Sequence, residues 1–119
     1  MTAYKKHFGK RGEDLAIEYL EEYNFDILFN NFRSKFGEID IIAEKDRKIY
    51  FIEVKTRANL NKGKPYESVT PRKIHQMKKA ATYFLLTNDY KKYKHTISVI
   101  SIVLETEDKY DLKFYESID

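Results

Sequence analysis

Two carboxylates and an ammonium interrupt otherwise apolar stretches of this sequence. The chain reads Gly37-Glu38-Ile39-Asp40-Ile41-Ile42 and then Phe51-Ile52-Glu53-Val54-Lys55-Thr56-Arg57. Both stretches are rich in the β-branched and aromatic residues favoured in strands. A carboxylate in such a setting is costly to bury unless it is paired or put to use. Side chains alternate along a strand, so Glu53 and Lys55 share one face of theirs, and Glu38, Asp40 and Ile42 share one face of the other. A polar tetrapeptide, Lys45-Asp46-Arg47-Lys48, joins the two as a hairpin, which lets Asp40 face Glu53 across antiparallel neighbours. Hard oxygen ligands from two strands suit Mg2+ or Mn2+, which take one or two carboxylates, waters and substrate phosphates. Such an ion acidifies water and screens phosphate charge, and Lys55 beside it would orient the water or stabilise charge on the phosphate oxygens. The competing reading is an ion-pair ladder between strands, but pairs of that kind belong at exposed edges, where they contribute little.

These residues need a sheet and helices to hold them. Residues 10–23 read as a helix, with Leu15, Ala16, Tyr19, Leu20 and Tyr23 on one buried face. Strands follow at 25–32, 36–44 and 49–57. Residues 58–67 (ANLNKGKPYE) form the one long loop. Thr70-Pro71 starts a second helix, with threonine capping and proline at the first helical position. Ile74, Met77, Ala81, Phe84 and Leu85 are its buried stripe, and Asn88-Asp89 ends it. A buried strand at 96–104 and its partner at 112–118 complete the order α-β-β-β-α-β-β, an α/β or α+β sheet covered by helices. On the second helix Arg72, Gln76, Lys79 and Tyr83 recur at helical spacing on the face opposite the stripe, where a phosphate backbone could meet them.

Composition sets the bounds. The 119 residues make a single domain, 1–119, large enough for a core of its own. There is no cysteine, which excludes disulfides and thiolate metal sites. No stretch approaches the ~18 apolar residues of a membrane span, and the charged start lacks a secretory signal, so no membrane partner is expected and the cytoplasm is the expected compartment. His7, His75 and His95 are scattered and suggest no histidine metal centre. The formal charge is +3, but residues 54–95 hold eleven basic residues against two acidic, a net of +9. Such a basic middle is either a solvated lysine-rich surface or a footprint for a polyanion. Tyr4, Tyr66, Tyr90 and Tyr93 lie beside lysines and are either exposed loop tyrosines or rings that stack on bases.

The pattern resembles the PD-(D/E)xK nuclease signature, an acid in one strand followed by (D/E)-x-K in the next. Here these are Asp40 and Glu53-Val54-Lys55, with Ile39 where a proline often stands. More narrowly, Gly9-Lys10-Arg11-Gly12-Glu13, Gly37-Glu38-Ile39-Asp40 and Glu53-Val54-Lys55-Thr56-Arg57 together resemble the YraN family, placed in the restriction-endonuclease-like superfamily. The resemblance runs from about Gly9 to Leu104. It implies a restriction-endonuclease-like α/β core, a mixed central sheet flanked by helices, and Mg2+ or Mn2+ as cofactor. It implies Asp40 and Glu53 as metal ligands, the Val54 carbonyl as a third, and Lys55 as the catalytic lysine. Glu13 matches the helical acid that completes the metal site in many members, and Gln76 the helical glutamine that often faces it. Around that centre Lys10, Arg11, Arg57, Lys62, Lys64, Arg72, Lys73, Gln76 and Lys79 are the expected contacts to nucleic acid.

The expected function is therefore Mg2+-dependent hydrolysis of phosphodiester bonds in DNA, at a structure such as a junction, flap or end. One small site cuts one strand, so cutting both strands of a duplex would require a homodimer. Two alternatives keep the same residues without the chemistry. One is a nucleic-acid-binding module that does not cleave, and the other a protein-interaction domain whose basic middle meets an acidic partner.

Overall fold

Five strands form one sheet in the order β1-β2-β3-β4-β5. The computed structural model describes residues 3–61, 63–106 and 108–118, with side chains from His7 onward. Lys62 and the Tyr4 side chain, both singled out in the sequence, lie outside the described residues, as do Met1, Thr2, Glu107 and Asp119. The elements are α1 (Ala3–Glu22), β1 (Asp26–Ser34), β2 (Gly37–Lys45), β3 (Lys48–Arg57), α2 (Pro71–Thr87), β4 (Lys94–Leu104) and β5 (Tyr110–Tyr115), with a 3-10 turn at Pro65–Ser68. The order matches the expected α-β-β-β-α-β-β, and the class is α/β. The sheet is mixed: β3 and β4 run parallel, and the other neighbours are antiparallel.

A parallel pair needs a crossover, and α2 supplies it between β3 and β4. Thr70 caps α2 as expected, its Oγ1 accepting from the Lys73 amide at 3.1 Å with Pro71 at the first helical position. Each helix covers one face of the sheet. Leu15, Ala16 and Leu20 of α1 pack with Ile41, Ala43, Tyr50, Ile52, Ile100 and Ile102. Met77, Ala81, Phe84 and Leu85 of α2 pack with Ile39, Ile42, Ile49, Phe51 and Ile97. The central strands β3 and β4 are thus buried on both faces, which explains their near-continuous apolar runs.

Three boundaries differ from the sequence reading. Helix α1 begins at Ala3 rather than near Lys10. Three of its seven added residues, Ala3, Lys5 and Lys6, are good helix formers, and Phe8 packs against the α1-side core. The last strand spans Tyr110–Tyr115 rather than 112–118. The turn sets that register: the Glu105 and Thr106 amides both donate to the Lys109 carbonyl, so Leu104 pairs with Tyr110. The loop after β3 is not without structure, since Pro65–Ser68 form a turn of 3-10 helix closed by Ser68 Oγ on the Pro65 carbonyl at 2.8 Å.

Candidate active site

The β2–β3 ladder runs from the hairpin pair Lys45 and Lys48 to Ile41 and Ile52, and stops there. The next two residues are Asp40 and Glu53. Instead of continuing the ladder, the Val54 N–H donates to Asp40 Oδ2 at 2.8 Å. A carboxylate thus takes the place of a backbone acceptor, and the strands separate just where the two acids stand.

Strand β2 changes its alternation at the same point. Ile39 and Ile42 both face α2, while Ile41 and Ala43 face α1. Two residues on one face should differ by an even number, so β2 departs from regular alternation around Asp40, although its register with β1 is unchanged across it and shifts only between Ile27 and Phe29. Glu38, Asp40 and Ile42 therefore do not share a regular face, contrary to expectation. Across β2, the pairs on β1 are Asn30 with Ile41 and Phe32 with Ile39, and Asn31 between them has φ 59°. Asparagine tolerates that left-handed conformation better than most residues. The irregularity leaves Asp40 in reach of groups from both sides of the sheet.

Glu53 is 4% exposed, the one charged side chain in the described core. Alternation on β3 puts Glu53, Lys55 and Arg57 on the α2 side, with Phe51. Lys55 Nζ lies 3.6 Å from Glu53 Oε2, and Lys73 Nζ, from the first turn of α2, lies 3.5 Å from the same oxygen. Asp40 also hydrogen-bonds Glu53 through its side chain. Burial, the Glu53 charge and that hydrogen bond push the Asp40 carboxyl up to about 7, against the opposing pull of the Val54 N–H and Lys73. Two buried carboxylates in contact cannot both ionise freely without more positive charge.

Glu13 approaches from α1. Its carboxyl is raised, first by burial and then by the Asp40 charge, while a hydrogen bond with Asn31 lowers it. Gly12 permits this approach: a Cβ there would fall onto Thr56 Oγ1 of β3. The glycine before the acid thus lets α1 lie close on the sheet. Among the described residues, no three of His, Asp and Glu are grouped closely enough to hold a metal. The immediate donor pair is Asp40 and Glu53, with Glu13 one step out. Val54 contributes its N–H, to Asp40, in the contact described above.

The basic residues divide. Lys73 enters the site. Arg57 is half-buried, and its Nε is enclosed without a hydrogen-bond partner. Arg72, Gln76, Lys79 and Tyr83 are all exposed along α2, as their spacing predicts. Gln76 stands against Gly37, the first residue of β2; a Cβ on that glycine would lie 3.7 Å from Gln76 Cβ. Lys10 is 3.5 Å from Asp14 and Arg11 is 4.0 Å from Glu18, both on their own helix. Arg11 lines a cavity of about 260 Å³ with His7, Phe8 and Ala58 that includes neither Asp40 nor Glu53. Lys64 lines a cleft of about 60 Å³ against β4 and β5. The structure thus gathers Asp40, Glu53, Lys55 and Lys73, with Glu13 and, one turn before it on α1, Lys10 beside them, and places Arg11 and Lys64 elsewhere.

Of the tyrosines beside lysines, Tyr90 stacks on Phe84 with ring centroids 5.7 Å apart and planes 9° off parallel, and Tyr93 meets Tyr90 at 5.0 Å. Tyr66 lies 4.7 Å from Tyr115. These three rings are committed to internal packing, because burying an aromatic ring against another stabilises more than leaving it in a loop. Sequence reasoning placed Lys73 on the nucleic-acid surface and did not connect it with Glu53. The usable signal was its position three residues before Gln76, one turn of α2 away on the same side. Asn31 carried a weaker signal, a second consecutive asparagine in a strand.

A family model described as "Uncharacterised protein family UPF0102" matches residues 12–103. The chain belongs to this UPF0102 family, which is the YraN family. A UPF0102 protein of Syntrophomonas wolfei is 42% identical over 100 residues, covering 84% of this chain and 87% of that protein. One of Caldicellulosiruptor bescii is 44% identical over 103 residues, covering 84% and 85%. A UPF0102 protein of Clostridium perfringens is 43% identical over 115 residues, covering 96% and 94%. The UPF0102 match begins at Gly12, beside Glu13, and extends to Val103, so it takes in every member of the acidic cluster. It leaves out β5. No helix among the described residues of this UPF0102 protein is long and apolar enough to cross a membrane.

Proposed function

We propose that this UPF0102 protein is a metal-dependent nuclease of restriction-endonuclease-like fold that hydrolyses phosphodiester bonds in DNA in the cytoplasm. The observation that carries the reading is the Asp40–Glu53 pair at the open end of β2 and β3, with two lysines drawn to one carboxylate oxygen. A buried glutamate that raises the proton affinity of the partly buried aspartate beside it is a poor structural device and a good cation trap.

The residues fit Mg2+ or Mn2+. These ions take oxygen donors, need only one or two carboxylates and keep several waters. Asp40 and Glu53 would hold the ion, with the Val54 carbonyl as a further oxygen, and Glu13 would accept from its water shell. The bound cation would supply a more acidic water and neutralise charge on the phosphate.

The remaining steps belong to the chain. Lys55 orients the attacking water and donates to the phosphate oxygens as charge builds on them. Lys73 holds Glu53 through the same oxygen as Lys55, and a cation bound by Glu53 would leave the Lys73 ammonium available to a phosphate. Arg57, further along the same face of β3, would meet an adjoining phosphate through its terminal guanidinium N–H groups, its Nε being enclosed. Arg72, Gln76 and Lys79 line the approach along α2. Structure-dependent cutting at a junction, flap or end fits a site without an element that enters a groove to read bases.

The deciding experiment is cleavage of branched, flapped and linear DNA with Mg2+ or Mn2+, wild type beside Asp40→Ala and Lys55→Ala. Cleavage by the wild type that both substitutions abolish supports the assignment. Cleavage that survives both overturns it. DNA binding without cleavage in either metal would mark a binding module instead, and absence of DNA affinity at low salt a protein-interaction domain.

A further inference from the structure

Along α2 from the acidic centre lies a strip of aromatic rings that rests on the core and stays partly in solvent. Phe29 and Phe32 of β1, Phe36 in the β1–β2 turn and Tyr83 of α2 form a chain of contacts. Ring centroids are 5.8 Å apart for Phe29 and Phe32, 6.5 Å for Phe32 and Tyr83, and 5.8 Å for Tyr83 and Phe36. Beneath them Phe84 is fully buried, 5.4 Å from both Phe29 and Phe32. The upper rings stay in solvent: Phe29 is 42%, Phe36 37% and Tyr83 41% exposed. Three exposed rings linked through Phe32 into one row are more than scattered surface aromatics.

The charges around the strip are those of a polyanion site. Lys35 Nζ stands 5.2 Å from the Phe36 ring centre. Lys79, one turn before Tyr83, is exposed on the same helix face, and Arg72 and Gln76 continue that row toward Lys73 and Glu53. The nearby Glu38 carboxylate is 3.6 Å from Arg33, which offsets it. From Lys73 to Tyr83 is ten helical residues, about 15 Å. Rings interleaved with lysines, in line with a phosphate path, are the makings of a stacking platform for unpaired bases.

We propose that Phe36 and Tyr83, with Phe29 and Phe32 behind them, hold unpaired bases of a single-stranded nucleic acid segment beside the acidic centre. The bases lie on the exposed faces of the two rings while Lys35 and Lys79 meet the flanking phosphates. Paired bases cannot present their faces in this way, so the platform selects substrates with an unpaired stretch. This deepens the nuclease reading and rests on it only for where the cut falls; the binding itself needs no metal.

The test uses the full chain in EDTA with a labelled oligothymidine of about twelve nucleotides, within the range one such platform covers. A blunt duplex of two complementary strands of the same length is the control. Phe36→Ala and Tyr83→Ala should each weaken single-strand binding by about tenfold, with duplex binding within about twofold of wild type. Tyr83→Phe keeps the ring and should bind like wild type. The chain has no tryptophan, so Phe36→Trp installs a single tryptophan, excited to the red of the ten tyrosines, whose emission the oligothymidine should quench and the duplex should not. Unchanged single-strand binding in folded alanine variants, equal loss for duplex, or no quenching would overturn the proposal. So would self-association of the wild type, seen by sedimentation without nucleic acid and lost in the alanine variants, which would give the strip to a second copy of the chain. Asp40→Asn separates the two readings, since it should abolish cleavage and leave oligothymidine binding intact. Ring-dependent binding without cleavage in any metal would remove the nuclease and keep the platform.

Discussion

The two ends of the β2–β3 pair are built from similar residues to opposite effect. At the hairpin end the ladder is complete, Ile42, Ala43, Ile49 and Phe51 are fully buried, and charges stay in solvent. Even the turn accepts strain to close tightly: Asp46 and Arg47 both adopt positive φ, 51° and 62°, the conformation that matches strand twist in two-residue turns. At the open end the ladder stops, alternation in β2 breaks, and a buried glutamate and a partly buried aspartate face each other with lysines alongside. One end maximises stability; the other gives some of it up to concentrate negative charge. A strand pair can do both because β3 is held along its whole length by β4, from Lys48 to Arg57, whatever β2 does.

The largest contrast should come from matched substitutions at the two ends. Phe51→Ala, in the closed half, should lower stability by about 3–5 kcal/mol, read by denaturant melts. Whatever fraction stays folded should retain its activity per molecule. Asp40→Asn, in the open half, should cut cleavage by about a hundredfold or more, in line with losses at metal-site residues. Its stability should rise rather than fall. An Asp40→Asn variant that is both active and less stable would erase the distinction between the ends.

The pH dependence of the metal-free protein sharpens the same point. Asp40 is raised from 3.8 to about 7 in the folded chain, so the folded state keeps a proton that the unfolded state releases. Stability is fullest below about pH 4 on this account and is lost as pH rises toward 7. Glu13 is shifted in the same direction. The difference in unfolding free energy between Asp40→Asn and wild type, read by denaturant melts, should therefore grow in the variant's favour across that window, by at most about 4 kcal/mol. A constant difference from pH 4 to 8 would show that Asp40 does not titrate in this range.

Smaller effects follow from the supports. Gly12→Ala should cost about 1–3 kcal/mol, since its Cβ would collide with Thr56 Oγ1 and push α1, with Glu13, off the sheet. Thr56→Ala should partly rescue it, and a variant indistinguishable from wild type would show that α1 sits less closely than described. Smallest of all, Arg47→Gly should relieve the left-handed turn by about 0.5–1 kcal/mol. It also loses the guanidinium 4.8 Å from the Tyr93 ring, so the net change in melting temperature should be slight and cleavage unaffected.

Much of this was legible in the chain. The order of elements followed from hydrophobic period and turn chemistry, and the threonine cap and proline of α2 were readable to the residue. The pairing of β2 with β3 followed from a short polar turn, and with it the meeting of Asp40 and Glu53. The exposed row Arg72, Gln76, Lys79 and Tyr83 followed from helical spacing. What failed was regularity itself. Alternation gave Glu38, Asp40 and Ile42 one face, and a local irregularity denied it. Such an irregularity depends on what β1 and β3 offer on either side, which no single strand contains.

The sequence by itself determined that two acids and a lysine would sit on neighbouring strands, because strand period and hairpin length are local properties of the backbone. Tertiary structure alone decided which cation would answer them. Lys73 reaches Glu53 only because α2 crosses between two parallel strands and its first turn lands over the open end of the sheet. Arg11 and Lys64 carry the same charge and stand elsewhere. Charge is written in the residue, but the distance over which it acts is set by packing between elements far apart in the chain.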